Sequence, residues 1–340
     1  MRAGDLPGID PDGLRAWFAT ELAVDAPLAY TPVGGGQSNL TYRVDEQGGR
    51  HRCWALRRPP VGELRPTAHD VVREWRVITG LAGTPVPVAP AAGVCRDPGV
   101  TGAPFYLMDF VGGVVLDGDR AADELDPAAR AAFVEACVRT LVAVHEVPPE
   151  VAGVGPRPGA GPRPPHLERQ LRRWRAQVLD AGPVPEGLLE VHDLLAARAP
   201  EETATGLVHG DYRPGNLIVT PDGEVAAVVD WELCSAGDVL VDVGWLVAWW
   251  RGRDFDAWAP EGLPGFADAD AVATRYAELT GRDVAGLAYY EAFALWRLAC
   301  IAHGVHLRYA GGQMGDPAQP LEALRRRPAR LVELARDRLT

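Results

Sequence analysis

Between Leu207 and Glu232 lies the run of side chains best suited to chemistry. It reads Leu207-Val208-His209-Gly210-Asp211-Tyr212-Arg213-Pro214-Gly215-Asn216-Leu217-Ile218-Val219, and after a Pro221-Asp222-Gly223 turn Val228-Val229-Asp230-Trp231-Glu232. The pattern is a loop, a short apolar strand, a turn and a second apolar strand, with a carboxylate or amide at each strand end. Moving a phosphoryl group from ATP to an alcohol needs a carboxylate beside the hydroxyl, oxygen ligands for Mg2+ and positive charge near the migrating phosphate. Asp211 can accept or orient the hydroxyl. Asn216 and Asp230 offer hard oxygens to Mg2+, and Arg213 can lean towards the γ-phosphate. Asp and Asn beside turns are often only turn formers and caps; that accounts for Asp222-Gly223, whereas the spaced set of three points to a metal-phosphate site.

These residues give the chain a resemblance to the aminoglycoside phosphotransferase and choline kinase-like family, which carries His-Gly-Asp-x-x-x-x-Asn followed by an Asp at a strand end. The wider wording, with Asp230-Trp231-Glu232, Gly237-Asp238 and Asp242, is most similar to the branch that includes phosphotransferase domains associated with acyl-CoA dehydrogenases. The resemblance implies an α+β, protein-kinase-like fold in two lobes: a nucleotide-binding lobe over 1–111, built on a five-stranded sheet with one main helix, and a mostly helical catalytic and substrate-binding lobe over 112–340. It covers about residues 30–310 and is most specific at 207–242.

Further roles follow from that resemblance. Gly34-Gly35-Gly36-Gln37-Ser38-Asn39 sits between two β-patterned runs. Glycines let backbone N–H groups approach phosphate oxygens, and Gly35, Gly36, Ser38 and Asn39 match the family's phosphate loop; a plain hairpin turn is the alternative. The strand at 52–57 puts Arg57 where such proteins present a Lys to the α- and β-phosphates, with Glu74 of the following helix as partner. Arg is a bidentate phosphate fork but longer and never neutral. Phe105 to Gly113 corresponds to the hinge, where backbone near Asp109 and Val111 would bind adenine; Met108 alone reads as core. Asp238 and Asp242, in a segment expected to open a helix at Gly237, would brace the catalytic loop. Candidates for the acceptor pocket are Glu232, Trp249, Trp296 and His303, although aromatics at helical spacing commonly pack into cores.

Composition bounds the remainder. The 340 residues include 34 Lys+Arg, all of them Arg, and 46 Asp+Glu, for a net charge of −12. That balance argues against nucleic-acid binding, which depends on basic residues neutralising phosphates. The acidity lies mostly beyond residue 112, where a cationic substrate or a solvated acidic surface would both fit. Five scattered cysteines without a CxxC pair suggest neither a zinc site nor disulfides. No apolar leader opens the chain, and the run Val239–Trp250 is too short to span a bilayer; a cytoplasmic setting is expected, with no membrane partner. Helices are expected at 12–22, 126–147, 166–180, 267–280, 284–309 and 320–338, and strands at 86–95 and 104–110. Arg169, Arg172, Arg173 and Arg175 form a basic stripe, read as a solvated face or as a grip on an anionic substrate tail such as a CoA phosphate.

The reading is an ATP-dependent, Mg2+-requiring kinase for a hydroxyl-bearing small molecule. The acceptor stays open among aminoglycosides, macrolides, choline-like alcohols, sugars and hydroxyacyl-CoA, with a tilt to the last. A catalytically impaired nucleotide-binding module is the rival, prompted by Arg57 in place of Lys. No Ala-Pro-Glu segment follows Asp230, which disfavours peptide substrates. Oligomeric state is silent in the sequence.

Overall fold

Asp10 starts the first element: its carboxylate accepts from the amides of Asp12 and Gly13 at 3.1 and 3.0 Å, and Pro11 fits the first turn. The computed structural model describes residues 6–34, 39–62, 70–155, 161, 163–202, 204–312 and 321–340. Helix α1 (Pro11–Leu22) precedes β1 (Leu28–Pro32), β2 (Leu40–Glu46), β3 (Cys53–Arg58), α2 (Val71–Leu81), β4 (Ala91–Cys95) and β5 (Phe105–Asp109). The five strands form one antiparallel sheet in the order β1-β2-β3-β5-β4.

Strand alternation decides which residues face the site. Trp54, Leu56, Phe105 and Leu107 point to one side, where Leu14 and Phe18 of α1 cover them. Ala55, Tyr106 and Met108 point to the other, onto Val71, Val77, Ile78 and Leu81 of α2. Arg57 shares the parity of Ala55, so β3 aims it at α2. The five-stranded sheet and its main helix α2 match the expectation, and α1 is the cover on the sheet's back.

The chain then forms β6 (Val114–Val115), α3 (Asp119–Ala122), α4 (Pro127–Glu146), α5 (His166–Ala181), α6 (Leu188–Ala197), β7 (Thr205–Val208), β8 (Leu217–Val219), β9 (Val225–Val228), β10 (Ser235–Asp238), α7 (Leu240–Trp250), α8 (Ala269–Thr280), α9 (Leu287–Ala310) and α10 (Leu321–Leu339). Two small sheets, β6-β8-β9 and β10-β7, hold the motif loops against this helical part. The protein is thus α+β, with a sheet-based first part and a mostly helical second part, a protein-kinase-like arrangement. Among the described residues no helix is long and apolar enough to cross a membrane.

Two expectations need correction, and one helix was not expected. The strand expected over 86–95 shrinks to β4, because Pro87 and Pro90 supply no N–H to a ladder. Gly237-Asp238 does not open a helix: it pairs with Gly206 and Thr205 as β10, and the helix begins at Leu240. Helix α6 was not foreseen; Gly187, at φ 75°, turns the chain into it.

Candidate active site

Strand β7 delivers the His209-Gly210-Asp211 loop, and the loop is held from below. His209 is fully buried; the Asp211 N–H donates to its Nδ1 at 3.1 Å, which places the ring proton on Nε2, donated to the Val229 carbonyl at 3.1 Å. One neutral imidazole therefore ties the loop to the strand end that carries Asp230. Gly210 has φ 86°, and a Cβ there would lie 2.8 Å from the Leu233 carbonyl oxygen, so only glycine suits the turn.

Asp242, on the first turn of α7, accepts from the His209 N–H at 2.6 Å and the Gly210 N–H at 2.8 Å, with His145 Nε2 at 3.4 Å. Burial alone would raise its pKa, but the hydrogen bonds from His145 and the Gly210 amide prevail, and the carboxyl titrates below its ordinary range. Burial pushes His145 down, so it stays neutral with its proton towards Asp242. Its Nδ1 then accepts from the Tyr276 hydroxyl at 2.8 Å, and Arg282 donates to that hydroxyl at 3.0 Å. Asp238 accepts from the Leu240 amide at the start of α7, 3.0 Å, and from the Tyr290 hydroxyl at 2.6 Å.

On this base the Asp211 carboxylate has a fixed orientation. Oδ1 accepts from the Trp245 indole N–H at 2.8 Å and Oδ2 from Asn216 Nδ2 at 2.7 Å; Arg213 Nε lies 3.6 Å from Oδ1. Asn216 gives its second amide hydrogen to the Asp211 carbonyl at 2.8 Å. Both of its donors face Asp211, so its side-chain oxygen turns away, and among the described residues nothing donates to it. Its own carbonyl accepts from Val229 N–H at 3.0 Å, one residue before Asp230. Asp230 adopts the left-handed conformation, φ 69° and ψ 61°, with its carboxylate a quarter exposed. An unused amide oxygen and a partly exposed carboxylate are ligand types that suit Mg2+, which takes one or two protein oxygens and completes its shell with water and phosphate.

Arg57 closes the site from the sheet side. Nε donates to Glu74 Oε2 at 2.9 Å and Nη2 to Asp230 Oδ1 at 2.5 Å. Burial drives the Glu74 carboxyl up to about 7 against the pull of Arg57, with Asp230 adding to the rise. Asn39 is buried; its Nδ2 donates to Glu232 Oε2 at 3.4 Å, while its Oδ1 has no partner. Gly35, Gly36 and Ser38 lie outside the described residues. At the hinge the Asp109 and Phe110 amides go to the Pro90 and Cys53 carbonyls, 2.8 and 3.1 Å. Asp109 can therefore offer adenine only its carbonyl, whereas the Val111 N–H meets no carbonyl among the described residues.

The acceptor candidates separate. Trp249 stays at the site: the Arg213 guanidinium lies 4.8 Å from its ring centroid, and both line a recess with Leu116, Pro214 and Trp258. Trp296 does not, since it is fully buried with its indole N–H on the Leu188 carbonyl at 2.9 Å. His303 is buried on α9 beside the Pro183 backbone and His306, and burial lowers its pKa. The Glu232 carboxylate turns to Asn39, and the Glu232 carbonyl accepts from Arg73 at 2.9 Å. Trp245 and Arg297 were missed. Arg297 donates to the Gly210 carbonyl; its position inside the apolar run Ala294–Cys300 was a usable signal, because a lone charge in a buried helix needs a reason.

Comparison with known proteins adds independent findings. The model of the phosphotransferase enzyme family matches residues 29–279. Acyl-CoA dehydrogenase family member 10 of Mus musculus is 31% identical over 326 residues, covering 90% of this chain and 29% of its own length. The chain spans about a third of the length of the curated relatives it matches. A crystal structure from Ralstonia eutropha JMP134, of a protein with the provisional name aminoglycoside phosphotransferase, is similar at TM-score 0.76 and 31% identity, covering 97% of this chain and 98% of that one. The ternary complex of a thermostable aminoglycoside phosphotransferase APH(4)-Ia mutant with ADP and hygromycin B shares the fold at TM-score 0.61 and 15% identity, covering 95% and 98%.

Proposed function

Since the chain belongs to the phosphotransferase enzyme family, we propose that it is a small-molecule kinase that moves the γ-phosphate of ATP to an acceptor hydroxyl with the aid of Mg2+. The observation that carries this reading is the Asp211 carboxylate, clamped by Trp245 and Asn216 with Arg213 3.6 Å away. Asp211 orients the hydroxyl and takes its proton as the oxygen attacks the γ-phosphorus and the bond to the ADP leaving oxygen breaks. Arg213, stacked on Trp249, faces the charge that gathers on the transferring group. Asn216 and Asp230 would hold Mg2+, which screens the phosphate charge. Arg57, steered by Glu74, binds the α- and β-phosphates, Asn39 lies at the phosphate-loop end, and the hinge at Asp109 and Val111 takes adenine.

The likeness to acyl-CoA dehydrogenase family members over most of this chain supports a hydroxyacyl thioester or a related hydroxylated metabolite as acceptor. The test is ADP release across a panel of hydroxyacyl-CoA, aminoglycoside, macrolide, choline-like and sugar alcohols, with and without Mg2+. One class should stimulate release, and only with the metal. Asp211→Asn should lower kcat by about 10²–10⁴-fold, the usual worth of a positioned base, while ATP binding persists. Full turnover by that variant would remove Asp211 from the chemistry.

A further inference from the structure

Arg297 is the only buried guanidinium reaching the catalytic loop among the described residues, and its surroundings leave it short of negative charge. It is 4% exposed and forms no ion pair with a carboxylate among the described residues. Its Nη2 donates to the Gly210 carbonyl, its guanidinium carbon lies 4.0 Å from the Trp245 ring centroid and 5.5 Å from that of Trp174, and its Nε is buried with no acceptor. Asp211 and Asp242 act on it only at Coulombic range, and burial lowers its pKa to about 10. A buried cation without a paired anion is costly, and aromatic faces offset only part of that cost.

The recess that Arg297 lines opens between α5 and the catalytic loop, with Gln170, Arg173, Trp174, Gly210 and Ser235 around it. Arg173 stands at its rim, 5.7 Å from the Trp174 ring centroid, with Arg73 adding positive charge and Glu232 negative charge at Coulombic range. His166, which also lines the recess, has its pKa pushed down by burial and brings no anion. Two guanidiniums, an amide and a hydroxyl thus line the recess, together with the backbone of Gly210, the residue that precedes Asp211 in the chain.

We infer that this recess is an anion subsite of the acceptor pocket, in which Arg297 and Arg173 hold a carboxylate or phosphate group of the molecule whose hydroxyl sits on Asp211. The inference rests on the phosphotransferase reading of Asp211 and narrows it: the acceptor is a hydroxylated anion, with its charged group close to the reacting hydroxyl. A guanidinium fork recognises either oxyanion, so the two sources are separated by experiment. A polycationic acceptor would place like charge against Arg297.

Isothermal titration of the full chain with ADP present tests the recess by matched pairs: β- and γ-hydroxybutyrate against their amides, and glycerol phosphate against glycerol. An anionic member should bind about tenfold or more tightly than its neutral partner, the range of a charge-assisted hydrogen bond; which pair responds tells carboxylate from phosphate. Arg173→Gln lies at the exposed rim and avoids the folding risk of replacing Arg297. It should weaken the anion about fivefold or more, leave the neutral partner alone, and appear in KM rather than kcat when ADP release is followed. Equal affinity within every pair, equal weakening by Arg173→Gln, or no binding by any anion overturns the subsite. The parent reading fails separately: anions that bind selectively yet never stimulate ADP release would sink the kinase assignment and keep the subsite, whereas turnover indifferent to acceptor charge would do the reverse.

Discussion

Arg57 does with one planar group what an ammonium could not. Its Nε reaches Glu74 at 2.9 Å while Nη2 reaches Asp230 at 2.5 Å, so the fork spans α2 and the strand-end carboxylate together. An ammonium on a shorter stem is a point charge and keeps one of these contacts at a time. Arg57→Lys should therefore raise KM for ATP by about tenfold or more, the worth of one charged hydrogen bond, with a smaller change in kcat; an unchanged KM in steady-state assays would show that the fork is not needed. Glu74 adds a pH dependence. Burial holds its folded pKa at about 7, above the ordinary 4.5. Because the folded value is raised, the native chain keeps a proton that the unfolded chain has lost, so this group's stabilisation is full below about pH 4.5 and declines as pH rises to about 7. Nucleotide affinity runs the other way, since Glu74 steers Arg57 best once ionised. ATP binding should tighten as pH climbs through about 7, and Glu74→Gln should flatten that profile; a wild-type profile flat across neutrality would contradict the assignment.

At the scale of elements, α7 supports the catalytic loop. Asp242 satisfies two loop amides that have no other acceptor, at 2.6 and 2.8 Å, from inside a fully buried site. Asp242→Ala leaves both donors and His145 without their acceptor, and should cost about 3–5 kcal/mol, the range for breaking a buried charged network, with loss of activity at temperatures where the fold survives. Differential scanning calorimetry and hydrogen exchange at 209–211 would check it; a melting temperature near wild type would deny the bracing role. This helix also shows what could be read beforehand. Asp242 stood out because an acid interrupts an apolar run, and Asp211, Asn216 and Asp230 stood out by spacing, because loop chemistry is local in the chain. Trp245 did not, since an indole N–H aimed at Asp211 looks in sequence like any other core tryptophan. Trp296 and His303 misled for the same reason: helical periodicity tells which face is buried, but not whether a buried face lines a cleft or a core. Long, capped helices such as α4, with Asp126 before Pro127, were legible from local signals. Strand β10 was hidden, because its four residues are defined by pairing with β7 rather than by their own pattern.

At the scale of the whole molecule, two consecutive residues of α2 join the sheet to the helical part. Glu74 turns to Arg57 on β3, while Arg73 donates from Nη1 to the Glu232 carbonyl at 2.9 Å and from Nη2 to the Cys234 carbonyl. The segment just after Asp230 is thereby fastened to the same helix that positions Arg57, and any shift of α2 moves both. A second tie, from the Val228 amide to the Pro87 carbonyl at 2.8 Å, holds the β9 end to the linker before β4. Removing the Arg73 fork should leave the two parts folded, since their cores are formed by other side chains, but loosen their register. Arg73→Ala should lower the melting temperature by only a few degrees, as about 1–2 kcal/mol does in a chain of this size. It should also raise KM for ATP several-fold and speed amide exchange at 231–234. Arg73→Lys can restore one of the two carbonyl contacts and should recover part of each effect. If exchange at 231–234 stayed slow in Arg73→Ala while ATP affinity fell, the helix would act on the nucleotide through Glu74 alone, and the coupling between the parts would have to run through the Val228 to Pro87 contact instead.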